Sequence, residues 1–491
     1  MWLSAEEKSI LNGEMHIQIP KIIQGGMGVG VSNWRLAQAV SKLGQLGVVS
    51  GTGLDQILAR RLQDGDPGGH VRRALGHFPF PAMARRIQDA LFIPGGKKPE
   101  APYKLPGQHV LAKGRSWMDE LCMAANYVEV FLAREAHNHP VGINYLEKIQ
   151  LPHLSSLYGA MLAGVAVVIV GAGIPQEMPR VLDRLSRHEP AAYPIRVTAA
   201  LATADSHKEF DPAAFAEAGA ALPSLQRPDF LPIVSSDSLA TMMLRRASGS
   251  IEGFVIEGPL AGGHNAPPRG QLHLTPDGQP VYGPRDTVDL AVIRKLGLPF
   301  WLGGAYATPE RLQFALAEGA AGVQVGTAFA LCVESGLQPE LRRELVRQSL
   351  TGEARVFTDP LASPAGFPFK VAQLAGSASD AEVYQRRQRI CDLGYLREVY
   401  CRADGSFGYR CSAEPEASFL AKGGKLADLT GRKCICNGLF ANIGMGQVLP
   451  SGEREPFLVT LGDDFLQIGG RLCTADHPEY TAADVVRHLL G

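Results

Sequence analysis

From residue 20 onward, short apolar runs alternate along the chain with stretches of helical periodicity. Each run is continuously apolar and rich in β-branched residues, as parallel strands covered on both faces are. The runs are PKIIQGG, LGVVSGTG, HPVGINYL, VAVVIVGAG, FLPIVSS, IEGFVIEG, PFWLGGA and AGVQVGTA. Eight strand–helix units predict an α/β protein with a (β/α)8 TIM barrel, whose functional loops follow the carboxyl ends of the strands. A doubly wound sheet is the alternative.

Two of the helical stretches carry start and stop signals. SNWRLAQAVSKLG has Ser32 where an N-cap is expected and Gly44 at its end. TPERLQFALAEG has Thr308 at the cap, Pro309 at the first helical position and Gly319 at the end. These signals predict helices directly after the first and the seventh apolar runs.

Two spacers are longer than a plain crossover between barrel strands. They cover about residues 66–138 and 175–229, and the second contains the strand-like run YPIRVTAAL. We predict that both are insertions in a barrel spanning residues 18–350. The alternation then stops, and FTDPLASPAGFPFK introduces a cysteine-rich C-terminal extension, residues 351–491. This Pro- and Phe-rich segment is a candidate lid over the barrel mouth, and a linker draped on the barrel is the alternative.

Composition and charge narrow the class of protein. The chain has 491 residues, 45% of them hydrophobic and 20% charged, as in soluble globular proteins. A formal net charge of -1 provides no basic field for nucleic acid or anionic membrane. The longest apolar run, residues 161–174, is shorter than the roughly 20 residues of a membrane-spanning helix. Without an export signal, the eight cysteines indicate a reducing compartment, and we predict a cytoplasmic location.

Glycine-rich turns follow the last two apolar runs. PFWLGGAYATPE contains Gly303 and Gly304, and GAAGVQVGTAFA contains Gly326 and Thr327. In such barrels the loops after the last two strands bind phosphate through backbone N–H groups, and glycine lets the backbone approach closely. Thr327 adds a hydroxyl donor. The spacing therefore predicts a phosphate site, and ordinary glycine turns are the alternative.

Another glycine-rich loop, QGGMGVGVSN, follows the first apolar run. Its glycines do not fit the G-x-G-x-x-G dinucleotide fingerprint, and neither does VVIVGAGIPQEM, so a Rossmann dehydrogenase is disfavoured. Backbone without side chains suits the face of a flat ligand, and Met27 offers a soft contact for a ring. A plain strand-to-helix turn is the alternative.

The stretch EGPLAGGHNAPPRG places His264 at the end of the sixth apolar run. Two glycines precede the histidine and two prolines follow, so we expect backbone that forms neither helix nor regular strand. Its place at the carboxyl end of a barrel strand makes His264 the candidate catalytic residue. An ordinary imidazole pKa of about 6.5 suits proton transfer near neutral pH. A hydrogen-bonded loop histidine without chemistry is the alternative.

The segments IIQGGMG, GINYL, EGPLAGGH and GGAYATPERLQFALAEGAAGVQVGTAF together resemble the FMN-dependent 2-nitropropane dioxygenase-like barrels. That family includes nitronate monooxygenases and flavin enoyl-acyl-carrier-protein reductases, and the resemblance covers about residues 18–335. The long histidine loop, the insertions and the tail segment CNGLFANIGMGQ resemble most the trans-acting enoyl reductases of polyketide and polyunsaturated fatty acid synthases. The resemblance implies noncovalent FMN in a (β/α)8 barrel.

The resemblance also implies which positions contact the flavin. They lie in the first glycine loop, after the third, fifth and sixth strands, before the histidine, and in the two phosphate turns. In this sequence they are Gly25, Gly26, Met27, Gly28, Asn144, Ser235, Glu257, Gly262, Gly263, Gly303, Gly304, Gln324, Gly326 and Thr327. For Gln324, a residue packed inside the barrel is the alternative to a ribityl contact.

Two reactions fit these residues, and in both FMN carries the redox step. In an enoyl reductase, His264 supplies the α-proton of an enoyl thioester, with NADPH as electron donor and an acyl carrier protein as candidate partner. In a nitronate monooxygenase, the same imidazole holds the charge of the nitro group or takes a carbon-bound proton. Motif length favours the enoyl reductase. A non-catalytic flavin-binding partner of a synthase is a third hypothesis.

An IMP dehydrogenase-like barrel is set aside. That class shares the phosphate loops but needs a nucleophilic cysteine after the sixth strand, and no cysteine lies between residues 123 and 331.

Six of the eight cysteines lie in the extension. Cys391, Cys411, Cys434 and Cys436 make a set of four thiolates that suits zinc or an iron–sulfur cluster. Their spacing is not the paired C-x-x-C of common zinc sites, although the related reductases resemble this chain in carrying cysteines at these places. Buried, unligated cysteines are the alternative.

Overall fold

The computed structural model describes residues 15–198, 206–217 and 222–491 and has an eight-stranded parallel sheet at its centre. Each predicted apolar run forms one strand. The strands are Ile22–Gln24, Gly47–Ser50, Val141–Leu146, Val167–Gly171, Asp229–Val234, Phe254–Glu257, Phe300–Gly303 and Gly322–Val325. From the second strand on, each strand pairs with the next along the chain, the eighth pairs with the first, and a single bridge between Ile23 and Leu46 joins the first strand to the start of the second and closes the ring. The predicted (β/α)8 TIM barrel is confirmed.

The barrel interior is a packed core. Alternate strand residues point inward and form one fully buried cluster, made of Ile23, Leu46, Val48, Val167, Ile169, Leu231, Val255 and Trp301. The Trp301 indole N–H donates to the carbonyl oxygen of Pro20 (2.8 Å), which satisfies the one polar atom of that side chain. Because this end is filled, a ligand can enter only at the carboxyl ends of the strands.

Helices surround the barrel and continue into the extension. In the described part of the chain they are Trp34–Lys42, Leu54–Gln63, His70–Gly76, Pro81–Leu91, Trp117–Arg134, His153–Leu162, Met178–Ser186, Asp237–Arg246, Leu290–Arg294, Pro309–Ala317, Thr327–Ala330, Pro339–Thr351, Ala381–Arg386, Glu416–Ala421, Ile435–Asn442 and Ala482–Leu490. Short 3₁₀ turns occur at Pro67–Gly69, Pro212–Phe215, Pro284–Asp286, Leu426–Leu429 and Asp463–Gln467. No helix among these residues is long and apolar enough to cross a membrane.

Of the two predicted helix N-caps, Thr308 is confirmed and Ser32 is not. Thr308 caps its helix by accepting a hydrogen bond from the backbone N–H of Arg311 (3.2 Å). After the first strand, however, the N-cap is Asn33, whose Oδ1 accepts from the N–H of Leu36 (3.0 Å), and the prediction of Ser32 is wrong. The Ser32 hydroxyl is buried and bonds the preceding glycine loop instead.

The insertions and the extension contact the barrel closely. In the first insertion, helix Trp117–Arg134 packs against helices Leu54–Gln63 and His153–Leu162 and so lies in the helix layer. In the second, Ala191–Pro194 pairs with His207–Phe210, and Val197–Thr198 pairs with Glu398–Cys401 of the extension. The end of the YPIRVTAAL run lies outside the described residues. The bounds given for the barrel and the extension remain predictions.

The remaining strands include the one that reaches the histidine loop. Val356–Asp359 and Phe369–Ala372 form an antiparallel pair, and Phe369–Ala372 pairs further with the two residues Gly263–His264. Glu398–Cys401 pairs with Phe407–Arg410. The segment predicted as a lid or a linker therefore runs directly over the end of the sixth barrel strand.

Candidate active site

A cavity of about 180 Å³ opens at the carboxyl ends of the barrel strands. Its walls bring together His264 and most of the positions implied to contact flavin. These are Gly25, Gly26, Met27, Gly28, Asn144, Glu257, Gly262, Gly263, Gly304, Gln324, Gly326 and Thr327. Ser235 lines a neighbouring cavity instead, and Gly303 lies within the seventh strand behind Gly304. The glycine pairs after the sixth and seventh strands thus meet at one site.

The glycine loop after the first strand is fixed by Ser32. The hydroxyl of Ser32 donates to the carbonyl oxygen of Gly25 (3.0 Å) and accepts from the N–H of Met27 (2.9 Å). A Cβ atom added at Gly26 would overlap the Cβ of Asn144 on the third strand. The loop therefore has to present bare backbone to the cavity at this position.

Asn144 presents an unsatisfied acceptor in the cavity wall. Its Nδ2 donates to the carbonyl oxygen of Gly26 (3.2 Å), whereas its buried Oδ1 has no hydrogen-bond partner among the described residues. An unsatisfied buried polar atom costs about 1–3 kcal/mol. This oxygen therefore indicates a bound ligand that donates an N–H or O–H group.

Strained backbone marks the ends of two strands in the cavity. Ala172 follows the fourth strand with φ of 56°, and Ala305 follows the seventh with φ of 61°. A residue with a Cβ in the left-handed region costs on the order of 1–3 kcal/mol, and such residues cluster at functional sites. Both alanines line the cavity. At the adjacent Gly304, with φ of 97°, an added Cβ would lie 3.1 Å from the carbonyl oxygen of Gly258.

The predicted phosphate turns meet the extension. Thr327 accepts a hydrogen bond from the backbone N–H of Gly462 (2.8 Å), so its hydroxyl proton remains free to donate. Asp464 lines the same cavity, and burial raises the pKa of its carboxyl to about 6. A phosphate bound nearby would raise this pKa further, because like charges repel.

His264 is held by the extension. In the antiparallel pair, Gly263 lies opposite Lys370 and His264 opposite Phe369. The imidazole Nε2 is 2.7 Å from the hydroxyl oxygen of Ser363, and its ring centroid is 4.7 Å from that of Phe369. The expectation that this backbone forms no strand is wrong. The extension, about a hundred residues further along the chain, supplies the strand partner.

Two groups in the cavity have pKa values moved by burial. Burial, and to a smaller extent the charge of Lys148, lowers the pKa of His264 to about 4. The imidazole is therefore neutral at pH 7, and the ordinary value of 6.5 does not apply here. Burial raises the pKa of Glu257 to about 7, and this carboxyl has no hydrogen bond to any described residue. The cavity thus contains a neutral imidazole and a carboxyl whose pKa is raised into the neutral range.

The extension forms a wall of the cavity, of which the sequence predicted only the segment that contains Phe369, as a candidate lid. Its lining residues are Phe369, Tyr395, Leu396, Ile435, Cys436, Leu439, Thr460, Leu461, Gly462 and Asp464. For the rest of this wall the only signal was the resemblance of CNGLFANIGMGQ to the enoyl reductase branch, since residue spacing alone does not place a distant segment over a barrel. Phe367 lines a neighbouring cavity of about 300 Å³ that shares Glu257 and His264 with the main one.

The four cysteines predicted as metal ligands lie near one another. They line one very small cavity, in which Cys411 and Cys434 are buried and Cys391 packs against them. Within the described residues, no group of three or more His, Cys, Asp or Glu side chains is arranged to hold a metal ion. Burial raises the pKa of Cys434 to about 11, and Cys436 also faces the main cavity. The zinc or iron–sulfur prediction therefore finds no support.

Residues 115–358 match the sequence model of the nitronate monooxygenase family. The matched stretch is just under half of the chain and includes six of the eight barrel strands. The match confirms the resemblance predicted from the sequence, and with it an oxidoreductase enzyme. No curated protein matches the chain at a significant level.

Three solved structures are similar to the chain at low identity. FabK from Thermotoga maritima is 17% identical with a TM-score of 0.46, over 96% of this chain and 92% of that one. A nitroalkane oxidase from Streptomyces ansochromogenes is 16% identical with a TM-score of 0.46, over 96% and 94%. The enoyl reductase domain of MlnA from Bacillus amyloliquefaciens is 11% identical with a TM-score of 0.43, over 97% and 94%. Structural similarity at such low sequence identity does not identify a substrate.

The residues of the cavity fit FMN. The bare backbone around Gly26 suits the face of a flat ring, and an isoalloxazine carries the N–H donor that the Asn144 Oδ1 lacks. The turns at Gly304 and at Gly326 suit a phosphate, because glycine lets backbone N–H groups approach it. The chain therefore offers a complementary surface for each end of the cofactor.

We expect Gly26→Ala to weaken FMN binding by at least about tenfold, because the new methyl group forces the loop or Asn144 out of position. Titration of the FMN-free protein with FMN, followed by flavin absorbance, measures the effect. Gly76→Ala is the matched control, since a Cβ at Gly76 meets nothing within 4 Å. Thermal unfolding of both FMN-free variants checks the fold. Unchanged FMN affinity in a folded Gly26→Ala protein would contradict this assignment.

Proposed function

We propose that the protein is an FMN-dependent enoyl reductase that uses NADPH to reduce an enoyl thioester. The supporting observation is the single cavity in which the bare glycine loop, the unsatisfied Asn144 and His264 face one space. FMN, when bound there, would supply the hydride chemistry. The residues of this chain would bind and orient the cofactor and the substrate, exclude water and provide the proton.

Holding the cofactor would fall to three parts of the barrel. The backbone of Gly25–Gly28 would support the ring, and Asn144 would accept a hydrogen bond from it. Gly304, Gly326 and Thr327 would bind the phosphate. The extension residues that cover the cavity would exclude bulk water from the reacting atoms, which strengthens every electrostatic interaction inside.

His264 would donate the proton that completes the reduction. The ring is neutral at pH 7, so the transferred proton would be one that the neutral imidazole or its hydrogen-bonded partner Ser363 carries. It would go to the substrate α-carbon as the β-carbon receives hydride, and solvent would return it afterwards. Glu257, with a pKa raised to about 7, is a second proton carrier in the same cavity.

The neighbouring cavity supports an acyl substrate over a small nitronate. It has a volume of about 300 Å³, and apolar groups including Ile174, Leu239, Pro267 and Phe367 line it. This neighbouring cavity shares His264 with the main cavity of about 180 Å³, which we call the flavin cavity. An acyl chain lying in the neighbouring cavity would therefore bring its reacting end to the imidazole. An alkyl nitronate would leave most of this volume empty. An acyl carrier protein is our proposed donor of the thioester.

Anaerobic mixing with NADPH tests the proposed function most sharply. We expect the FMN absorbance of the loaded protein to bleach, and a crotonyl thioester to restore it with formation of the saturated product. The absence of bleaching, together with oxygen uptake when an alkyl nitronate is added in air, would instead identify a nitronate monooxygenase. A protein that takes up no FMN would contradict both functions.

His264→Ala separates catalysis from a non-catalytic flavin-binding role. We expect the variant to retain FMN and to be reduced by NADPH at an unchanged rate. Its reoxidation by the enoyl thioester should be slower by about 10²–10⁴-fold, the usual contribution of a positioned proton donor. His77→Ala, which alters a histidine outside the cavity, is the control. If His264→Ala keeps the full rate of enoyl reduction, His264 is not the proton donor.

A further inference from the structure

Another cavity, which we call the cationic groove, adjoins the flavin cavity. It has a volume of about 270 Å³ and shares Ile149, Tyr395 and Leu396 with the flavin cavity. Three parts of the chain form it: the loop after the third barrel strand, the second insertion and the extension. A groove at the carboxyl ends of the barrel strands is well placed to hold the distal part of a substrate or of a reductant.

Three cations line this groove without a carboxylate partner. Lys148, Arg196 and Arg397 form no ion pair with any described residue. Arg397 donates to the carbonyl oxygens of His109 (2.7 Å) and Gly394 (3.1 Å), so backbone holds its guanidinium in place. Arg196 is exposed and needs no partner, whereas Lys148 is half-buried, and burial lowers its pKa.

The two carboxylates of the groove form no ion pair with these three cations. Glu147 accepts a hydrogen bond from the side chain of Gln150 (2.7 Å). Glu398 is paired with Arg410 and also accepts from the hydroxyl of Thr198 (2.9 Å). Because Arg410 is paired with Glu398, the three cations of the described lining face one carboxylate, Glu147, that has no ion-pair partner there.

Lys148 and Arg196 are held near each other by the fold. The backbone N–H of Arg196 donates to the side-chain oxygen of Gln150 (2.8 Å), two residues after Lys148. The charge of Arg196 is close enough to lower the pKa of Lys148, and the charge of Glu147 opposes this effect with a smaller one. Like charges placed together raise the free energy of the empty protein, and an anion between them would remove that cost.

Lys148 also faces the candidate active site. Its ammonium group lies 4.7 Å from the ring centroid of Phe367, and its charge acts on His264. A ligand whose anionic group met Lys148 would thus have its other end directed toward the imidazole.

We propose that Lys148 and Arg196 bind a phosphate ester group of a ligand whose reacting end enters the flavin cavity. This inference rests on the proposed function, in which both reaction partners carry such a group. One source is the phosphopantetheine arm of an acyl thioester, and the other is NADPH. Simple nitronates carry no phosphate and would not use the groove.

The experiment compares probes with and without phosphate on FMN-loaded protein. Calorimetric titration with 4′-phosphopantetheine and with pantetheine requires no turnover. The second pair of probes is NADPH and the phosphate-free 1-benzyl-1,4-dihydronicotinamide. For each, the rate of flavin reduction is measured as a function of its concentration. The variants are Lys148→Gln and Arg196→Gln, and Lys113→Gln, at an exposed lysine outside the groove, is the control.

We expect each groove variant to weaken the binding of one phosphate-bearing probe by about tenfold and to leave its phosphate-free counterpart unchanged. The affected probe identifies the source, phosphopantetheine or NADPH. The inference is overturned if neither phosphate-bearing probe binds, if their affinities do not change in the variants, or if the phosphate-free probes weaken equally. If phosphopantetheine binds in a Lys148-dependent way but the protein does not reduce enoyl thioesters, the phosphate site is supported and the proposed function is wrong.

Discussion

The short antiparallel pairing between Gly263–His264 and Phe369–Ala372 determines the arrangement of the candidate active site. A barrel loop that ends in two glycines and a histidine has little intrinsic preference for one conformation. The pairing fixes its backbone, and Ser363 and Phe369 fix the imidazole. The same segment covers the cavity, so the contact that positions His264 also buries it and keeps it neutral. Position, burial and protonation state therefore share one cause.

The barrel supplies the opposite side of the cavity at an energetic cost. An unsatisfied amide oxygen at Asn144 and left-handed alanines at 172 and 305 destabilise the empty protein. Such features cluster at functional sites, and all three line one cavity. Bound cofactor would satisfy Asn144, so FMN should contribute to the stability of the folded state as well as to its chemistry.

The sequence predicted the barrel well because its signals are local. Continuous apolar runs and the Thr308 cap depend on neighbouring residues, and each formed the expected element. Ser32 shows where local signals fail. Its hydroxyl bonds the glycine loop instead of capping the helix, and Asn33 is the N-cap. The strand partner of His264 and the wall around Tyr395 come from the distant extension. The composition of FTDPLASPAGFPFK indicated a candidate lid, but no local pattern encodes which residue it pairs with or how far burial moves a pKa.

The pKa of His264 tests most directly whether the extension buries the imidazole. In a protein labelled at histidine, the imidazole signals can be followed by NMR between pH 4 and pH 8, and the signal that disappears in His264→Ala identifies the residue. We expect His264 to remain neutral until the pH falls well below 6, because burial under the extension lowers its pKa to about 4. Titration at the ordinary value of about 6.5 would mean that the imidazole is open to water, and would contradict the account.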